Sequence, residues 1–87
     1  MSIPAPDSAK AKYYEWANEV FSKSPFDPKT GNLLCLAAAL GIGNEGAVSY
    51  FYFSAKRAGA TDAELAAVTD IAIATGGLNT YTLVPKE

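Results

Sequence analysis

The chain has no histidine, one cysteine and seven basic residues among its 87. Each scarcity closes off a class of chemistry. Without histidine, the commonest general acid–base and the commonest metal ligand are gone, and hydrolase triads that depend on imidazole cannot be assembled. A single cysteine cannot form an internal disulfide. With scattered carboxylates it does not make a zinc site of the usual kind, so no metal and no cofactor is expected. Seven Lys and Arg against nine Asp and Glu give a net charge of −2, with no basic run. Such a chain lacks the basic face that displaces counterions from phosphates, so nucleic acid is not an expected partner. Long apolar runs are missing too. The longest, "LLCLAAAL" from Leu33 to Leu40, falls far short of a membrane span. The start, "MSIPAPDSAK", is polar and proline-broken and does not resemble a signal peptide. The expectation is a cytoplasmic protein without a membrane partner.

What is present is an apolar balance: 49% of residues are hydrophobic and 18% charged. The length suits one domain, residues 1–87, and a domain this small has a thin core. Self-association would bury part of the excess.

Residues 1–6, with Pro4 and Pro6, read as an extended arm. Asp7 or Ser8 can cap a first helix over residues 8–22, whose apolar positions Tyr13, Ala17, Val20 and Phe21 recur at helical spacing. Lys10, Lys12, Glu15 and Glu19 form its wet side. Asp27 followed by Pro28 predicts the next helix start, a capping oxygen and then a proline whose missing N–H does no harm. That second helix runs to about Leu40 and is apolar all round, as a buried central helix is. "GIGNEG", residues 41–46, breaks the chain. A third helix begins near Asn44 or Glu45 and closes at Gly59. Thr61 and Glu64 make a capping box for a fourth helix from Asp62 to Thr75, with an inner stripe of Leu65, Val68, Ile71, Ala72 and Thr75. Gly76 and Gly77 end it, and Asn79 caps a last turn through Val84. The expected class is all-α, with four to five helices and short connections.

"GIGNEG" matches the glycine pattern of dinucleotide-binding loops, but that motif must follow a strand. Here it follows a Leu/Ala-rich helix and reads as a turn. Cys35 has no neighbouring cation or helix start to lower its pKa and reads as a structural side chain. Tyr50, Phe51, Tyr52 and Phe53 point rings around a whole helical circumference. One face can pack inward; the others must meet a second subunit, a ligand or water. Lys56 and Arg57 suit the end of the third helix. Asp70 lies among apolar neighbours and could pair with either of them. Asn32 and Glu45 are the remaining polar candidates near the centre.

"FDPKTGNLLCLAAALGIG", then an aromatic helix ending "KRAGATDAELA", then "AIATGG", together resemble the carboxymuconolactone decarboxylase and alkylhydroperoxidase D family over about residues 26–84. The resemblance implies an all-helical fold and homo-oligomers, trimers or hexamers. The redox branch of that family carries a Cys-x-x-Cys pair, a histidine four residues after it and a glutamate on the preceding helix. Counted back from Gly59, these positions fall on Asn44, Ala47, Phe51 and Asn32, and none of the four groups is kept. The decarboxylase branch also relies on a histidine at the place Phe51 holds; Glu45 fits an acidic position at the start of that helix. The fold is thus expected to transfer without either chemistry and without catalytic residues.

Three readings follow. The first is a non-catalytic scaffold that assembles with itself, or a small subunit of a larger complex. The second is a small-molecule binder or an enzyme of different chemistry, decarboxylase-like or another lyase. Its aromatic cleft would be built from Trp16, Tyr50, Phe51 and Tyr52, with Glu45, Arg57 and Asp70 for polarity. The third is a residual thiol enzyme using Cys35.

Overall fold

The computed structural model describes residues 6–77 and 83–85. Four helices follow one another: α1 (Pro6–Ser22), α2 (Pro28–Ile42), α3 (Glu45–Arg57) and α4 (Asp62–Gly76). The all-α class expected from the sequence is the class observed. Among the described residues no helix is long and apolar enough to cross a membrane.

Local chemistry sets the boundaries of the last three helices. Asp27 takes the Thr30 N–H at 2.8 Å on one carboxylate oxygen and the Thr30 hydroxyl at 2.9 Å on the other. Pro28 then occupies the first turn of α2. The helix outlasts Leu40 by two residues and closes at Gly43 (φ 73°). There the Asn44 N–H reaches back to the Ala39 carbonyl at 3.1 Å, and the left-handed backbone suits glycine. Asn44 immediately caps α3, accepting the Ala47 N–H at 3.0 Å. Gly59 (φ 100°) turns the chain out of α3. The predicted capping box is in place: the Thr61 hydroxyl accepts the Glu64 N–H at 3.1 Å, and the Glu64 carboxylate accepts the Thr61 N–H at 2.9 Å. Lys29 reaches the other Glu64 oxygen at 3.1 Å, tying the start of α2 to the start of α4.

The core lies between α2, α3 and α4. Leu36, Ala39 and Leu40 from α2 meet Val48 and Ala55 from α3 and Leu65 and Ala72 from α4. Leu33, Phe51, Tyr52 and Val68 pack around them half-buried, and Leu83 and Val84 close one side. On α4 the buried line is Leu65, Thr69 and Ala72, so Leu65 and Ala72 of the expected stripe are internal and Val68 packs half-buried beside them, while Thr69 replaces the rest. Ile71 and Thr75 face outward. Thr69 fits inside because its hydroxyl donates to the Leu65 carbonyl at 3.0 Å, which removes the cost of burying an unpaired polar group.

α1 stands apart. It begins at Pro6, so Asp7 and Ser8 lie inside its first turn rather than before it. Asp7 there favours the helix dipole instead of acting as a cap. Ala17 is its one buried side chain among those described; Tyr13, Tyr14, Val20 and Phe21 are exposed despite their helical spacing. Its ring contact with the rest of the fold is Phe21 edge-on to Phe51, centroids 6.2 Å apart. The projection shows in the dimensions. The molecule measures 48 × 28 × 23 Å with a radius of gyration of 14.8 Å, whereas a compact chain of this length has roughly 12 Å. The arm expected over residues 1–6 and the last turn expected from Asn79 fall largely outside the described residues.

Candidate functional site

The space between α1, α2 and α3 is an open groove of about 900 Å³. Tyr13, Tyr14 and Phe21 of α1 form one wall, and Leu34 and Cys35 of α2 form the floor. Ala47, Tyr50 and Phe51 of α3 form the other wall, and Phe26 closes an end. The floor and the α3 wall are held by helices whose starts the caps at Asp27 and Asn44 set.

Three of the four positions singled out in the sequence converge here: Asn32, Ala47 and Phe51 all line the groove. Asn32 is turned to its own backbone, donating from Nδ2 to the Pro28 carbonyl at 2.7 Å. Ala47 offers a methyl group. The Phe51 ring sits edge-on to Tyr50 at 5.0 Å. The fourth position, Asn44, is consumed as the cap of α3.

The proposed cleft residues separate. Tyr50 lines the groove with Phe51. Tyr52 and Asp70 lie on another side, along a hollow of about 260 Å³ that Leu65 and Thr69 also line. Trp16 lies beside Tyr13 with centroids 6.5 Å apart and is exposed. Glu45 is exposed in the first turn of α3, and Arg57 is exposed in its last. Arg57 and Asp70 form no ion pair, the described pairs being Lys23–Glu19 and Lys29–Glu64.

The groove is poor in proton-handling groups. Its one carboxylate among the described residues, Asp27, is held below the usual carboxylate range, chiefly by the Thr30 N–H and then by the Thr30 hydroxyl. A carboxylate already committed to two donors is a poor proton acceptor for a substrate. Cys35 is half-buried on the groove floor rather than enclosed in the core, and desolvation pushes its thiol up. That is the wrong direction for a nucleophile. Among the described residues, no group of three His, Cys, Asp or Glu side chains is placed to hold a metal ion.

A model of the carboxymuconolactone decarboxylase family matches residues 7–83. The chain belongs to the carboxymuconolactone decarboxylase family. No curated protein and no solved structure shows a significant match to it. The match takes in the whole of α1 beyond Pro6, whereas the motifs visible in the sequence begin only at Phe26. α1 is therefore part of the family domain, and its aromatic face lines the groove. Sequence reasoning alone does not place Tyr14, Phe21, Phe26 or Leu34 in a groove. Phe21 belongs to the i, i+4, i+7 and i+8 stripe of Tyr13, Ala17, Val20 and Phe21, but such a stripe normally goes into a chain's own core. No short-range pattern marks Phe26 or Leu34.

Proposed function

We propose that this chain is a non-catalytic member of the carboxymuconolactone decarboxylase family that acts as a self-associating scaffold, three or six copies to an assembly, or as a small subunit of a larger complex. The observation that carries the reading is the groove itself. Where a thiol pair, an imidazole and a relay carboxylate would be needed, the groove presents Ala47, Phe51 and Asn32, and Asn44, which does not line it, caps α3; all four are committed to capping, packing or local hydrogen bonding. Thiolate attack on a peroxide needs a lowered-pKa cysteine and a proton relay, and Cys35 is shifted the other way. The apolar composition of so short a chain supports association. Static light scattering at micromolar concentration should give an assembly, and dithiol-dependent hydroperoxide reduction should be absent. A stable monomer, or turnover that disappears on Cys35→Ser, would reject the reading.

One observation favours a second reading, a binder of apolar small molecules. A groove of about 900 Å³ lies within the size range of ligand sites. Native mass spectrometry of freshly purified protein separates the two readings: a bound small-molecule mass that survives purification supports the binder.

A further inference from the structure

We infer that the groove between α1, α2 and α3 is closed by α1 of a second copy of this chain, the two copies related by a two-fold axis. The inference rests on the self-association proposed above and names the surface that carries it.

Area is the first argument. Six rings on and around the groove are largely in water: Tyr13 at 59%, Tyr14 at 53%, Trp16 at 62%, Phe21 at 53%, Phe26 at 54% and Tyr50 at 62% exposure. At about 200 Å² per aromatic side chain these leave on the order of 700 Å² uncovered. Val20 and Leu34 add aliphatic surface beside them. A stable interface takes roughly 800 Å² from each partner, so this one face supplies what a dimer contact needs. It also exceeds the apolar patch a soluble monomer ordinarily shows, roughly 300–600 Å².

Shape is the second. α1 is both a wall of the groove, through Tyr14 and Phe21, and a ridge, through the tilted Tyr13–Trp16 pair (planes at 52°), of which Trp16 stands outside the groove. One chain thus carries a knob and a hollow on the same helix. A two-fold axis places each knob in the other copy's hollow, the self-complementary arrangement of an isologous contact. Charge is the third. Apart from Asp27 no charged side chain lines the groove, so closing it buries little unpaired charge.

Cys35, the only thiol in the chain, reports on the floor of the groove. The test compares wild type with Trp16→Glu by light scattering over a dilution series and by the rate of maleimide labelling at Cys35. Circular dichroism serves as the folding control; Trp16 is exposed, so its loss leaves the three-helix core intact. The expected result is slow labelling in the assembly and faster labelling on dilution. Trp16→Glu should raise the dissociation constant at least about thirtyfold, the effect of losing one central aromatic anchor. Tyr13→Ala should act in the same direction. An assembled wild type whose mass and labelling are unchanged by both variants overturns the inference and leaves the scaffold reading standing, as does a strict trimer. A wild-type monomer overturns both. A monomer whose Cys35 is shielded by a retained small molecule also overturns both, in favour of the binder.

Discussion

Helices α1 and α2 have 17 and 15 residues, and each has large apolar side chains at helical spacing. α2 lies between α3 and α4 and buries Leu36, Ala39 and Leu40. α1 lies against one edge of the others and buries Ala17 among its described side chains. The difference is not in helix-forming tendency. An amphipathic repeat states that a helix has a face to cover, but it does not state what covers it. In α2 the covering surface is in the same chain. In α1 it is not supplied by the described residues, and the uncovered side chains include rings, the kind most enriched where proteins meet. Stability is therefore expected to reside in α2, α3 and α4, and association in α1.

The largest effect that would test this division is a cavity in the core. Leu36 is 1% exposed, and Leu36→Ala should cost about 2–5 kcal/mol, the usual range for deleting a buried leucine. In a domain whose large fully buried side chains are Leu36, Leu40 and Val48 among the described residues, that is a large part of a total stability of about 5–15 kcal/mol. Urea unfolding followed by circular dichroism measures it. A cost below about 1 kcal/mol would mean that the three helices are not the stabilising unit. Next in size is Gly43→Ala. A Cβ at this position meets nothing within 4 Å, so crowding contributes nothing. The left-handed backbone at φ 73° alone should cost about 1–2 kcal/mol.

Most of the three-helix unit was legible in the sequence because its signals are local. Asp27–Pro28, Asn44 and Thr61 with Glu64 each satisfy N–H groups within three residues, so adjacent letters suffice to read them. What depended on distant partners was read less well. Ile71 alternates with Ile73 and looked internal, but the buried line passes through Leu65, Thr69 and Ala72. A threonine belongs on it only because its hydroxyl finds the Leu65 carbonyl. Of the site, Asn32, Ala47 and Phe51 come together in the sequence only through the family resemblance, and in the structure they line one groove. That Tyr52 faces another side from Tyr50 follows from helical spacing, but that Cys35 shares a groove with Phe51 depends on the angle at which α3 crosses α2. No short stretch of sequence encodes that angle.

Smaller effects sharpen the comparison. Thr61→Ala removes one half of the capping box and should cost about 1 kcal/mol. Its pH dependence has a definite sign. The Thr61 N–H, and after it Lys29, hold Glu64 below its ordinary value, and Thr30 does the same for Asp27. A carboxylate lowered by folding stabilises the fold above its unfolded pKa and loses that contribution as pH falls through its folded one. Melting temperature should therefore drop on the acid side of the ordinary carboxylate range. Glu64→Gln should flatten that drop, modestly, because both groups are exposed and screened. An unchanged acid slope in Glu64→Gln would show that the box does not hold its charge in solution.

The smallest predicted effect discriminates best between the two helices. Tyr14→Ala removes a ring that is half in water and meets Tyr13 at 5.4 Å and the Lys10 ammonium at 5.9 Å. All of these lie on α1. In protein dilute enough to be monomeric, its cost should stay within about 0.5 kcal/mol, the range for surface substitutions. In concentrated protein the same substitution should lower stability further, because a folded assembly gains free energy by mass action that its chains lose when association weakens. A Tyr14→Ala cost independent of concentration, and near that of Leu36→Ala, would place α1 within the chain's own core. A cost that grows with concentration fits a helix whose partner is another molecule.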